Sequence, residues 1–262
     1  MLNRLKRLIP RNFRISLLQK KYKGDAFYCN CCKSDIKTFI PGNPSAEAVE
    51  KHEITGAGYH EFDVCPVCKA SYRQRSVMVY LEAQQILKEK IKVLHVAPEP
   101  AFSYVFQKQK NITYICGDLE PERYWYYVKA QYINLLDINF PSDTFDLIVC
   151  NHVLEHIEND TEAMKELYRV LKPGGIAILQ VPISWKLDST FEDFNITSPE
   201  ERLKAFGQQD HVRIYGGDYT ERLEKCGFHT ELFDPESVSA LYGDKFEKLR
   251  LDPRDKIFVS TK

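Results

Sequence analysis

Residues 135 to 156 read LLDINFPSDTFDLIVCNHVLEH, and this stretch decides the fold class. Asp137 is read as closing an apolar strand. Pro141, Ser142 and Asp143 supply a turn, and Phe145 to Cys150 then run as a second strand into a helical phrase, Asn151 to Ile157. Strand ends that meet helix starts are where open α/β sheets bind ligands. The stretch is therefore the binding edge of an α/β domain.

Working outward, Lys92 to Val96 is an apolar run bounded by turn residues, the pattern of a buried parallel strand, and a helix is expected from about Ala101. A further strand, Ile112 to Cys116, ends in Gly117-Asp118-Leu119-Glu120. The spacing predicts helices over Ser76 to about Lys90, Thr161 to Leu171 and Tyr219 to Lys225. Strands follow at Ile176 to Val181, Phe228 to Phe233 and Ile257 to Thr261.

The order of Asp137, Pro141, Phe145-Asp146, Leu154-Glu155-His156 and then Lys172-Pro173-Gly174-Gly175 resembles the class I S-adenosylmethionine (SAM) dependent methyltransferases, over roughly residues 91 to 262. The resemblance implies a Rossmann-like, mostly parallel sheet with an antiparallel terminal hairpin strand, and SAM as cofactor. It also implies that Asp137 accepts from the adenine amino group, with Ile138 adding its backbone N–H and an apolar wall.

The turn after the first strand, Ala97-Pro98-Glu99-Pro100-Ala101, departs from the glycine-rich turn of that family. A pyrophosphate needs donated N–H groups and a close approach without side chains, so NAD and FAD fit poorly. SAM carries a sulfonium and an ammonium. An acidic turn suits both charges, and Glu99 is assigned to the ammonium, against the alternative of an acid at a helix start. Asp118, beside Leu119, is assigned to the ribose diol because one carboxylate accepts two hydroxyls. Glu120 is the substitute. Asn151 and His152 follow the next strand and are placed along the methyl-transfer channel, or else cap a helix. His156 is read as structural.

Net charge is −1 over 262 residues, yet residues 1 to 24 hold eight Lys or Arg and no acid. This basic segment, with Leu2, Leu5, Leu8, Ile9, Phe13, Leu17 and Leu18 interleaved, either docks on an anionic membrane surface or covers the next module. No apolar run is long enough to span a membrane, so a cytoplasmic chain is expected, with peripheral contact at an inner membrane surface as an addition.

Cys29-x-x-Cys32 and Cys65-x-x-Cys68 bracket a loop rich in Pro and Gly. Two such pairs converge on a tetrahedral ion, and four thiolates favour structural Zn²⁺ in a small ribbon-like N-terminal module. Cys31, His52 and His60 are reserve ligands. The phrase Cys65 to Cys68 followed by Arg73-x-Arg75 and an apolar helix resembles the front end of bacterial methyltransferases of polysaccharide gene clusters. Arg73 and Arg75 thereby become acceptor or interdomain anchors, or are two exposed arginines at a helix start.

Residues 183 to 217 are polar, aromatic and poorly periodic, and are read as an acceptor-site insert. Within it, Asp210 and His211 are the candidate base, and Arg213 and Tyr215 the candidate acceptor contacts. The expected organisation is residues 1–24 basic, 25–80 zinc-binding and 81–262 catalytic. The expected reaction is methyl transfer to a hydroxyl or amine of a small molecule, a sugar or glycan precursor. An RNA methyltransferase tracking phosphates with the basic segment, or a non-catalytic scaffold, are the rivals; oligomeric state is not legible.

Overall fold

A computed structural model describes residues 10–262, so Leu2, Leu5, Leu8 and Ile9 of the basic segment lie outside the described residues. Arg11–Tyr22 of that segment form helix α1. It lies on the cysteine module, where Ile15 joins the core and Gln19 Nε2 donates to Ser34 Oγ at 3.0 Å. No described helix is long and apolar enough to cross a membrane.

The cysteine module is an antiparallel hairpin, β1 (Lys23–Cys29) and β2 (Ser34–Ile36), followed by a loop with one short helix, α2 (Glu47–Lys51). Helix α3 (Tyr72–Ala83) starts where Gln74 Oε1 accepts the Ser71 N–H at 2.6 Å. It stops short of the expected Lys90 because Gln85 takes a left-handed φ of 54°, and a single 3₁₀ turn, Ile86–Lys88, follows.

Seven strands form the main sheet in the order β10-β11-β7-β6-β3-β4-β5. They are β3 (Ile91–Val96), β4 (Ile112–Asp118), β5 (Gln131–Tyr132), β6 (Phe145–Asn151), β7 (Leu171–Gln180), β10 (His229–Phe233) and β11 (Ile257–Thr261). The first five are parallel; β11 and β10 add antiparallel strands at one edge. This is the expected Rossmann-like sheet with its terminal hairpin. A second antiparallel pair, β8 (Phe191–Glu192) with β9 (Arg213–Ile214), lies in the insert with helix α6 (Pro199–Phe206).

Strand periodicity sorts the core into two layers. Val93, Leu147, Val149, Ile178 and Val259 face helix α4 (Pro100–Lys108), α3 and the cysteines, all in one continuous cluster. Leu94, Ile148, Cys150, Ala177, Leu179 and Phe258 face α5 (Asp160–Val170) and α7 (Tyr219–Lys225) on the opposite side.

Two sequence expectations change. Residues 154 to 156 form a 3₁₀ turn after β6, which runs on through Asn151, in place of the helix Asn151 to Ile157. Asp137 does not close a strand. The strand beside β4 ends at Tyr132, and Asn134 Oδ1 accepts the Leu136 N–H at 3.0 Å, folding the chain into a turn that leaves Asp137 exposed.

Candidate functional site

The chain runs from β3 through β4 to β5 in one direction across the sheet and from β6 to β7 in the other, so the strand order reverses between β3 and β6. Their carboxyl ends are the turns at Ala97 and His152. Both residues hold a left-handed backbone, φ 45° and 54°, which costs a non-glycine residue on the order of 1 kcal/mol. The sequence lacks glycine at this first turn, but the geometry glycine favours is kept.

Glu99 leads from that turn into α4 with its carboxylate held on three sides. Asn151 Nδ2 donates at 3.0 Å, Gln74 Nε2 at 3.1 Å, and His95 Nε2 makes a short contact to the other oxygen. His95 Nδ1 is in turn 2.9 Å from Tyr114 Oη, which is 3.0 Å from Ser103 Oγ. Burial pushes the Glu99 carboxyl up, but the hydrogen bonds from His95, Asn151 and Gln74 outweigh it and hold it below the ordinary carboxylate value. Glu99 is a fixed anion. Asn151 Oδ1 beside it is buried with no partner in the protein. The network partners Gln74 and His95 were missed in the sequence, although a histidine inside an apolar strand is itself a signal.

At the end of β4, Asp118 accepts from Glu120 N–H at 2.9 Å and from Tyr124 Oη at 2.8 Å, with Leu119 exposed next to it. Pro98 offers its carbonyl to Tyr127 Oη. Asn134, two residues past the end of β5, stands where the sequence reading puts Asp137. Ile138 is buried, and its N–H donates to Glu166 Oε2 at 2.8 Å while its carbonyl accepts from Arg169. That backbone is already engaged inside the fold.

A cavity of 650 Å³ opens beyond the end of β7. Its walls come from the loop between the cysteine pairs (Asn43 to Gly58), from Arg73, from Pro182, and from the insert at Glu200, Lys204 and His211. His152 lies behind this wall, its Cε1 3.4 Å from where a Cβ on Gly56 would sit, and is not part of the cavity lining. The sequence marks this loop as a Pro- and Gly-rich spacer with His52 and His60 as reserve ligands; without periodicity it carries no signal of its role as a wall.

Of the two arginines, Arg73 faces this cavity, with one donor to the Gly56 carbonyl and a buried Nε without partner. Arg75 does not. It is fully buried, donates to the carbonyls of Leu249 (2.8 Å), Asp63 (2.5 Å), Phe62 (2.6 Å) and Ala70 (3.2 Å), and stacks 3.8 Å from the Phe39 ring centre. The sequence-predicted acceptor contacts Arg213 and Tyr215 are interior too. Arg213 donates to Glu192 and to the carbonyls of Leu154, Ile157 and Glu158, and Tyr215 Oη donates to Asp160 at 2.8 Å. They clamp the insert to the sheet, so neither side chain is brought to the cavity.

Asp210 is 72% exposed, with Oδ2 3.3 Å from His156 Nδ1. His211 is buried, and its Nε2 lies 3.9 Å from Glu155 Oε1. Desolvation pushes Glu155 up to about 8 and His211 down to about 4. Asp210 and His211 therefore belong to one cluster with His156 and Glu155, of which His211 alone lines the cavity.

Cys29, Cys32, Cys65 and Cys68 bring their sulfurs within 4.8 Å of one another, Cys29 to Cys68 at 3.6 Å and Cys32 to Cys65 at 3.8 Å. Ligands at about 2.3 Å around a tetrahedral ion stand about 3.8 Å apart. The four buried thiols thus fit Zn²⁺ and form no disulfide. Cys31 Sγ faces the Gln74 carbonyl, His60 stacks on Tyr72 at 4.3 Å, and His52 is outside the group.

A family model described as a methyltransferase domain matches residues 77–179, from α3 through the end of β7. The chain is 30% identical over 105 residues to a protein of Mycolicibacterium smegmatis named as a probable S-adenosylmethionine-dependent methyltransferase, covering 40% of this chain and 36% of that one. It is 33% identical over 72 residues to a demethylmenaquinone methyltransferase of a Geobacillus species, covering 28% and 31%. A SAM-dependent methyltransferase structure from Archaeoglobus fulgidus overlays 74% of this chain and 95% of that one, with a TM-score of 0.48 and 13% identity. The chain spans about a third of the length of the curated relatives it matches. The sheet order and the matched segment together make the fold that of class I methyltransferases.

Proposed function

We propose that this chain is a SAM-dependent methyltransferase that methylates a hydroxyl of a polar small molecule, a sugar or glycan precursor, held in the cavity between Arg73 and His211. The observation that carries the reading is the pairing of Glu99 with Asn151 across the strand reversal. A half-buried anion beside an orphaned amide oxygen calls for a cationic donor, and the ammonium of SAM is one.

SAM, when bound, supplies an electrophilic methyl group. Glu99 and Asn151 would hold its ammonium, Asp118 would accept its ribose hydroxyls, and Asn134, two residues beyond β5, would meet its base. The zinc-binding cysteines anchor the loop that walls the acceptor cavity. Catalysis then comes mostly from positioning an acceptor oxygen in line and excluding water. Arg73, Glu200, Lys204 and Gln208 give that cavity donors and acceptors suited to a polyhydroxylated molecule.

Titration calorimetry with SAM on the zinc-loaded chain tests the reading. Saturable binding that Asp118→Ala weakens is expected. A folded, zinc-loaded chain that takes up no SAM would sink it.

A further inference from the structure

Glu155 is the most isolated acid of the interior. It is 1% exposed, and neither carboxylate oxygen has a hydrogen-bond partner. A buried carboxylate in that state costs several kcal/mol unless it is protonated or paired. Arg73 acts on it only at longer range and gives its Nη1 to the Gly56 carbonyl instead.

Three imidazoles surround this carboxylate. His152 Nδ1 lies 3.5 Å from Oε1, and the Nε2 atoms of His156 and His211 each lie 3.9 Å from it. The remaining contacts fix which nitrogen is free. His156 turns Nδ1 to Asp210 Oδ2 at 3.3 Å, which leaves its Nε2 toward Glu155. The His211 Nε2 is buried without a partner. An outer carboxylate or carbonyl on one ring nitrogen, with the other aimed at an unpaired acid, is how metal-binding histidines are oriented.

We propose that Glu155, His156 and His211 form a divalent-cation site separate from the four cysteines, with His152 beside it and open positions on the side where His211 lines the cavity. Two imidazoles and one carboxylate select a first-row transition ion over Mg²⁺ or Ca²⁺. Ligands at about 2.1 Å stand about 3.0 to 3.4 Å apart at right-angled or tetrahedral positions, so the two nitrogen–oxygen distances of 3.9 Å close by about 0.5 to 0.9 Å on binding. The open positions suit the oxygens of the acceptor. That last link rests on the methyl-transfer reading; the cation site itself does not.

Adding Co²⁺ to the zinc-loaded full chain tests it by visible absorption and equilibrium dialysis. The expected result is one cobalt per chain, with the weak bands of nitrogen and oxygen ligands and no thiolate charge-transfer band. Glu155→Gln and His211→Gln should each weaken binding at least tenfold while zinc content and melting temperature are retained. Asp210→Asn, acting through His156, should weaken it about tenfold. Failure to bind cobalt beyond the zinc equivalent, a thiolate band alone, or affinity unmoved in Glu155→Gln and His211→Gln overturns the site. SAM titration of the same samples is independent, so loss of the methyl-transfer reading and loss of the cation site are told apart.

Discussion

Asn151 donates its side-chain amide to Glu99 Oε1 at 3.0 Å, tying the end of β6 to the end of β3 where the strand order reverses. The contact spans 52 residues of sequence and fixes an anion at the one place on the sheet edge where two chain directions leave a crevice. Gln74 reaches the same carboxylate from α3, the helix that follows the second cysteine pair. The cysteine module and the sheet therefore share the positioning of this acid.

Glu99→Gln should raise the SAM dissociation constant roughly tenfold to a hundredfold, since a hydrogen bond to a charged group contributes about 1.5 to 3 kcal/mol. The Glu99 carboxyl is held below its ordinary value, so affinity should be full at neutral pH and fall as acid protonates it. Calorimetry on wild type and variant measures both effects. An unchanged affinity in the variant would remove Glu99 from the cofactor site.

Arg73 and Arg75, two residues apart on α3, should respond to mutation in opposite ways. Arg75→Met leaves the carbonyls of Phe62, Asp63, Ala70 and Leu249 without their buried donor, and each such loss costs about 1 to 3 kcal/mol. Urea unfolding should show a loss of at least about 3 kcal/mol. Arg73→Ala should leave stability within about 1 kcal/mol and instead raise the acceptor KM, because its side chain lines the cavity. Equal destabilisation by the two variants would contradict the placement.

Four strands of the parallel sheet, β3, β4, β6 and β7, were legible because each contains a short, nearly continuous apolar run; β5, two exposed residues, carries no such run. Glu99 and Asp118 were legible for the same reason: an acid just past such a run stands at a strand end. Asp137 misled because the side chain of Asn134 folds the chain before the apolar run is over. The roles of Arg75 and Arg213 were not readable, since the carbonyls that hold them arrive from as far as 174 residues away. The cavity wall from Asn43 to Gly58 has no periodicity to read, and contacts distant in sequence, such as the Thr55 to Ile183 backbone pair, hold it at the sheet edge.

Asp255 is buried near Arg73, and desolvation pushes its carboxyl up to about 7. An acid whose folded value lies above its unfolded value of about 3.9 contributes stability that is fully present below about pH 4 and lost as pH rises to about 7. Wild type should therefore lose stability over that window relative to Asp255→Asn, which keeps the shape without the charge. Above pH 7 the variant should be the more stable by a few kcal/mol, on the order of 4 at most. Urea midpoints from pH 4 to pH 8 measure the difference. Parallel pH profiles for the two proteins would refute the shift.

Removal of zinc should strike the acceptor cavity before it strikes the sheet. The loop from Asn43 to Gly58 is held between Cys32 and Cys65, and its described contacts to the catalytic domain include the Thr55 to Ile183 backbone pair. Metal binding at a four-cysteine site contributes on the order of 10 kcal/mol to local folding, so Cys65→Ser or chelation should release that loop and the hairpin β1–β2 together. The sheet keeps its layer against α5 and α7, which shares no residue with the cysteine cluster. Hydrogen exchange should consequently speed up in residues 25 to 64 first, while β3, β6 and β7 stay protected and SAM affinity falls less than acceptor affinity. Uniform exchange across both regions, or a chain whose exchange is unchanged after chelation, would overturn the assignment of Cys29, Cys32, Cys65 and Cys68 as ligands that build the cavity wall.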